Sequence, residues 1–261
     1  MTEAFHNAKG VLFDLDGVVH VGRNAIPGAA ETLSRLGEHH IPFRFVTNTT
    51  TASPETLERR LRDMGLPIDS GVILTTHQVA AGYLETLGNP RCFLLVNDDA
   101  LSCYAKTPST ETDAEYIVIG DIGDRWNYAL LDRVFNMVMD GANIIALHKG
   151  RYWKTEQGLR MDIGAFVAGL EYTTGKTATV VGKPSKTFFE MALRDVALPK
   201  DKVIMIGDDI EMDVGGAQRA GLRGVLVKTG KYREDVVAAS SVKPDAVIDS
   251  IAEVPRLLSL T

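Results

Sequence analysis

Residues 11–19 read Val11-Leu12-Phe13-Asp14-Leu15-Asp16-Gly17-Val18-Val19. The β-branched and aromatic run predicts a strand that stops at two carboxylates one residue apart, with a glycine directly after them. Alternation along a strand places residues two apart on the same side, so Asp14 and Asp16 point the same way if the strand continues through them. Like charges that close repel, and one pKa rises unless a cation lies between them. The segment calls for a metal ion, a shared proton, or both.

Working outward, the chain alternates strand and helix. Pro27–His39 carries Ala30, Leu33 and Leu36 at helical spacing, and Phe43–Thr47 is a second strand ending in Thr47-Asn48-Thr49-Thr50-Thr51. Ser53 suits an N-cap with Pro54 at the first helical position, in a helix running to Gly65. Val72-Ile73-Leu74 is a third strand. The same rhythm restarts with a strand at Ala178–Val181, closed by Gly182-Lys183-Pro184, and a helix capped by Ser185. A strand at Val203–Ile206 is closed by Gly207-Asp208-Asp209, and one helix then runs to Ala220, with Gly221 as its C-terminal cap. Gly224–Lys228 and Ala246-Val247-Ile248 are further strands, and a helix ends the chain. Between these halves, strands are expected at Cys92–Val96, Tyr116–Ile119 and Ile144–Leu147, and helices at Tyr128–Met139 and Ile163–Tyr172. The economical organisation is α/β: a parallel-sheet core from residues 1–76 and 179–261, interrupted by an inserted α/β domain over 77–178.

The chain has 261 residues, 45% of them hydrophobic, with a formal net charge of −6. That balance carries no electrostatic footprint for nucleic acid or an anionic membrane. An anionic substrate would need a local cation. The two cysteines, Cys92 and Cys103, stand outside any metal-binding or redox pattern and read as buried thiols in a reducing compartment. The N-terminus has no apolar leader pattern and no 18-residue apolar run follows, so a cytoplasmic protein is expected.

Polar clusters fall at the predicted carboxyl ends of core strands: Asp14/Asp16, Thr47/Asn48, Lys183 and Asp208/Asp209. In an open parallel sheet that edge is where ligands bind. Carboxylates gathered from several strands attract a hard cation, and Mg²⁺ prefers oxygen ligands. A hydroxyl, an amide and an ammonium suit phosphate oxygens. One Asp can act as nucleophile, and a second, two residues on, can protonate a leaving group and then activate water.

These motifs, in this order, resemble those of the haloacid dehalogenase-like (HAD) hydrolases: Asp14-Leu15-Asp16-Gly17-Val18, Thr47-Asn48, Gly182-Lys183-Pro184, and Gly207-Asp208-Asp209 with Asp213. An insertion after the second motif is similar to the branch with a large α/β cap, the NagD-like type. Thr47-Asn48-Thr49-Thr50, Arg151-Tyr152-Trp153-Lys154, Leu170-Glu171-Tyr172, Lys183-Pro184-Ser185-Lys186-Thr187-Phe188-Phe189 and Asp213-Val214-Gly215-Gly216-Ala217-Gln218 resemble a narrower group. That group holds phospholysine phosphohistidine inorganic pyrophosphate phosphatase and haloacid dehalogenase-like hydrolase domain-containing protein 2. Many NagD-like members carry Asn where Thr49 stands, and the narrower group shares this departure.

The resemblance implies a Rossmann-like three-layer core with a C2-type cap, and an Mg²⁺-dependent phosphatase working through an aspartyl-phosphate. It implies Asp14 as nucleophile and metal ligand, and Asp16 as general acid/base with its backbone carbonyl on the metal. Thr47 and Asn48 would bind the phosphoryl group, Lys183 would neutralise its charge and orient Asp14, and Asp208 would complete the metal's protein ligands. Asp209 and Asp213 would stand behind them. His148, Arg151 and Lys154 are candidates to reach the substrate from the cap. A small phosphorylated substrate and a homodimer are expected. A phosphotransferase or dehalogenase on the same fold, or a binding protein that has lost activity, are the competing readings. Asp16 favours phosphate, since a dehalogenase needs no acid there, and no catalytic group is missing.

Other motifs carry nothing. Gly175-Lys176-Thr177 resembles the end of a P-loop, but Leu170 stands where the required glycine belongs. Gly215-Gly216 lacks the spacing of a dinucleotide fingerprint. His39 and His40 end a helix, where a cation suits the dipole.

Overall fold

Val11, Leu12 and Phe13 are wholly buried because strand Gly10–Phe13 lies inside a sheet, pairing in parallel with Val203–Gly207 on one side and Phe43–Thr47 on the other. A strand covered on both faces has no polar side, which is why its sequence is an unbroken apolar run. The computed structural model describes residues 5, 7–155 and 158–260, without the side chains of residues 153–155 and 159.

The chain forms two compact units. The first comprises Met1–Thr47, Pro54–Leu74 and Lys183–Thr261. Its six-stranded sheet runs, edge to edge, Ala246–Ile248, Arg223–Val227, Val203–Gly207, Gly10–Phe13, Phe43–Thr47 and Ile73–Thr75. The fold is a Rossmann-like three-layer α/β arrangement. Helix Ala29–Glu38 turns Ala29, Thr32, Leu33 and Leu36 inward, a single stripe at helical spacing. Helix Lys186–Val196 begins where the Ser185 hydroxyl accepts the Phe188 N–H at 3.2 Å, and it buries Phe188, Phe189, Ala192 and Val196.

The second unit comprises Asn48–Ser53 and Thr75–Gly182. Its four-stranded parallel sheet has the order Thr179–Val180, Asn143–Ala146, Tyr116–Ile119, Cys92–Leu95. Its core gathers Phe93, Ile117, Val134, Val138, Ile144 and Val167. An antiparallel hairpin, Tyr152–Thr155 with Gly158–Met161, and helix Thr76–Thr86 were not legible in the sequence.

Three expectations are corrected. The strand expected over Ala178–Val181 belongs to the second unit, where Thr179 and Val180 pair with Ile145 and Ala146. A short apolar run does not say which sheet it joins, so Lys183 follows no strand of the first unit's sheet. The helix expected after Asp209 is not continuous. A π-helical turn over Ile210–Gly215 precedes helix Gly216–Ala220. Cys92 is a buried thiol pushed up to about 11 by burial, but Cys103, likewise in no disulfide, is only half-buried.

The join between π turn and helix depends on glycine. A Cβ on Gly216 would stand 2.7 Å from Phe189 and 2.9 Å from Pro184, whereas a Cβ on Gly169, in helix Gly164–Thr174, would meet nothing within 4 Å. Gly216→Ala should therefore lower stability by about 1–3 kcal/mol through overpacking. Gly169→Ala should raise it by about 1 kcal/mol through helix propensity. Chemical denaturation of the two variants checks the opposite signs.

Candidate active site

Val203–Gly207, Gly10–Phe13 and Phe43–Thr47 are parallel neighbours, so they deliver Asp208, Asp14 and Thr47 side by side at the carboxyl edge of the sheet. Asp14 continues its strand's ladder, its N–H donating to Ile206 O at 2.9 Å. All three side chains are buried. The Lys183 ammonium donates to Asp14 Oδ1 at 2.6 Å, Asp213 Oδ1 at 2.7 Å and Val46 O at 3.0 Å. The carbonyl of Val46 directly precedes Thr47, so one ammonium ties three segments of the first unit together. Burial alone would lower the Lys183 pKa, but the carboxylates of Asp14 and Asp213 outweigh it and hold the lysine above its usual range.

Asp213 reaches this position through the π turn. Asp209 caps that turn, its Oδ1 accepting the N–H groups of Glu211 and Met212, while its own N–H donates to Asp213 Oδ2 at 3.1 Å. Gly207 leaves the room, since a Cβ there would overlap the Asp213 side chain. Both Asp213 oxygens are thus engaged, one by the lysine and one by the backbone.

Asp208 sits differently. Its Oδ2 accepts the Lys231 N–H at 2.7 Å, while its Oδ1 is buried and, among the described residues, accepts no hydrogen bond. Gly17 (φ 86°) and Gly230 (φ 59°) pack on this carboxylate, and a Cβ on either would strike it. One oxygen from each of Asp14, Asp208 and Asp213 lies within 4.8 Å of the others. An orphaned buried carboxylate oxygen, beside further carboxylates and in a pocket closed by glycines, fits a hard divalent cation such as Mg²⁺. Burial, then the charges of Asp14 and Asp213, push Asp208 up to about 8. Burial and Asp14 push Asp213 up to about 6, against the opposing charge of Lys183.

Asp16 stands apart from this cluster. Its side chain is exposed, with Oδ1 3.7 Å from His20 Nδ1. Asn48 is grouped with the second unit, where its Oδ1 lies against Gly182. His148, in the second unit, is buried, its Nδ1 accepting the Gly150 N–H at 3.0 Å and lying 3.8 Å from Asp162. Arg151 is exposed, and the Lys154 side chain lies outside the described residues. The sequence reading missed His20, the Thr229-Gly230-Lys231 loop and His77. The loop was signalled by a glycine just past a parallel strand, at the same sheet edge as the other motifs. His77 is wholly buried in the second unit, its Nε2 donating to Thr50 O at 3.0 Å and its Nδ1 accepting from Tyr104 at 3.1 Å. Burial holds its pKa below the usual histidine range.

Residues 11–107 match the family model described as haloacid dehalogenase-like hydrolase, and residues 180–254 match the HAD-hydrolase-like model. Haloacid dehalogenase-like hydrolase domain-containing protein 2 of Bos taurus is 45% identical over 86% of this chain and 86% of its own length. The chain belongs to the haloacid dehalogenase-like hydrolases. Within that family, phospholysine phosphohistidine inorganic pyrophosphate phosphatase of Bos taurus is 36% identical over 98% of this chain and 96% of its own. The p-nitrophenyl phosphatase of Archaeoglobus fulgidus superimposes with a TM-score of 0.89 at 28% identity, covering 95% of this chain and 98% of that one. NagD of E. coli K-12 shares the fold, with a TM-score of 0.88 at 24% identity, covering 94% of this chain and 98% of that one.

The raised carboxyls make a signed prediction. Asp208 and Asp213 hold their protons more tightly folded, at about 8 and about 6, than at the ordinary value of 3.8. Their contribution to stability is complete below about pH 4 and is lost as pH rises through 6 to 8. Cation-free protein should lose thermal stability from pH 5 to pH 8.5. Asp208→Asn should flatten that loss, raise the cation-free melting temperature at pH 8, and abolish any stabilisation by added Mg²⁺ that the wild type shows. Melting curves with chelator and with Mg²⁺ check this.

Proposed function

We propose that this hydrolase is an Mg²⁺-dependent phosphatase that cleaves small phosphate esters, phosphoamides or pyrophosphate through a phosphoryl-Asp14 intermediate. The observation that carries the reading is the Lys183 ammonium, held 2.6 Å from Asp14 and 2.7 Å from Asp213, beside the Asp208 oxygen that accepts no hydrogen bond among the described residues. Such an array presents one oriented carboxylate oxygen, fixed positive charge and a cation pocket at a single sheet edge.

Asp14 attacks phosphorus, forming a bond from its carboxylate oxygen while the bond to the leaving-group oxygen or nitrogen breaks. Asp16 donates a proton to that leaving atom, then takes one from the water that attacks the phosphoryl-aspartate. Lys183 holds Asp14 in one direction and balances charge on the phosphoryl oxygens, with Thr47 and Asn48 donating hydrogen bonds to them. Asp14, Asp208 and the backbone carbonyl of Asp16 would hold Mg²⁺, which supplies positive charge against the phosphoryl oxygens. Asp213 and Asp209 act behind the site, fixing Lys183 and the turn.

The first unit serves as the catalytic core and the second as a C2-type cap that excludes water and shapes the leaving-group pocket, with His148, Arg151 and Lys154 as its contributions. The protein would act in the cytoplasm as a homodimer. The names of two relatives, a p-nitrophenyl phosphatase and a phosphatase of phospholysine, phosphohistidine and pyrophosphate, support the substrate range.

Asp14→Asn should reduce turnover of p-nitrophenyl phosphate by about 10³-fold or more while leaving the melting temperature and circular dichroism near wild type. Lys183→Met should differ in kind. It removes the cation from between two buried carboxylates and should cost about 3–5 kcal/mol of stability as well as activity. Steady-state kinetics together with denaturation of both variants checks the contrast.

A further inference from the structure

We infer that His20 is a positioning residue that aims the Asp16 carboxyl group at the leaving atom. The inference rests on the acid/base role proposed for Asp16. Asp16 lies on an exposed turn with 63% of its side chain accessible, yet proton transfer requires its oxygen within hydrogen-bond reach of the leaving atom. A solvated aspartate on a turn samples several rotamers.

Residues 15–25 supply the missing constraint. The Gly17 N–H donates to His20 O at 2.8 Å, Asp16 and His20 form an isolated bridge, and His20–Val21 pairs with Asn24–Ala25 in a short antiparallel ladder. This backbone fixes the base of the histidine independently of its ring. The ring itself is largely buried, with 12% of the side chain accessible. Its Nδ1 lies 3.1 Å from Gly22 O and 3.7 Å from Asp16 Oδ1. A carbonyl oxygen only accepts, so Nδ1 carries the hydrogen and donates it to Gly22 O, which fixes the ring with its Nδ1 edge beside the Asp16 carboxylate. Among the described residues, His20 is the side chain within ion-pair distance of the Asp16 carboxylate. At 3.7 Å the contact is longer than a hydrogen bond, so it biases the direction of the carboxyl group and leaves its oxygens available.

A role in aiming the leaving-group acid has its own kinetic signature. The dependence of kcat/KM on the leaving group reports the first bond cleavage. A 2,4-dinitrophenolate departs without a proton, whereas 4-methylphenolate needs one. Across aryl phosphates between these two, His20→Ala should leave kcat/KM for the dinitrophenyl ester within about threefold of wild type and lower that for the methylphenyl ester by about tenfold or more. His20→Asn, whose amide nitrogen overlays Nδ1, should recover most of that loss. In an Asp16→Asn background, His20→Ala should add nothing, because the two act as one unit. A His20→Ala variant that lowers the whole series equally, or leaves it unchanged while Asp16→Asn is selective for poor leaving groups, overturns the inference and leaves the mechanism standing. If Asp16→Asn itself lowers all esters equally, Asp16 is not the leaving-group acid, and the inference falls with that reading.

Discussion

One buried ammonium organises the first unit. Lys183 joins Asp14, 169 residues away in sequence, to Asp213, 30 residues away, and to the carbonyl before Thr47. A buried ion pair is poor evidence for stability, because desolvation of the charges offsets much of their attraction. Its value here is directional. With the ammonium in place, Asp14 presents a set oxygen and three separate chain segments share one register. Without it, two carboxylates would face each other in a dry interior. One ammonium also fails to balance the three carboxylates gathered there. Burial, and after it the repulsion among these carboxylates, raises the pKa values of Asp208 and Asp213, and their unbalanced charge is the reason the site calls for a divalent cation.

The need for that charge imbalance explains several local departures from regular structure. A regular α-helix after Asp209 gives way to a π turn, a feature often found at functional sites, and Asp213 comes from that turn. Gly17 and Gly230 meet back to back, a Cβ on Gly230 falling 2.5 Å from the Gly17 Cα, so that the Asp208 carboxylate can be enclosed by backbone alone. Gly17 and Gly230 also adopt positive φ, which an L side chain adopts only at a cost. Stability is surrendered at these points to hold charges that a stable core would exclude.

Much of this was legible in the sequence because burial and chemistry leave different marks. Strands covered on both faces read as apolar runs, and each run that ended in Asp14, Thr47 or Asp208 ended at the sheet edge where ligands bind. Asp213 could be named from the motif, but its contact with Lys183 depends on a π turn that no periodicity announces. Lys183 itself reads as an ordinary loop lysine before a proline; only its order among the other motifs distinguishes it. Thr179-Val180 joins the second unit's sheet, which the sequence does not announce because two β residues carry no information about their partner. Helix Thr76–Thr86 escaped notice for a related reason. Its Thr75–Gln78 capping box is followed by no clear apolar stripe, so no helical period marks it. His20 was invisible because its significance is a 3.7 Å approach across a turn.

Everything in the proposed reaction depends on the phosphoryl group passing through Asp14. Acid quenching during turnover of p-nitrophenyl phosphate, reduction with borohydride and peptide mass spectrometry tests it directly, because reduction of an aspartyl-phosphate yields homoserine. Homoserine is expected at position 14, only in protein quenched with substrate. Full turnover with residue 14 recovered unchanged, or the modification found at another carboxylate, would contradict it.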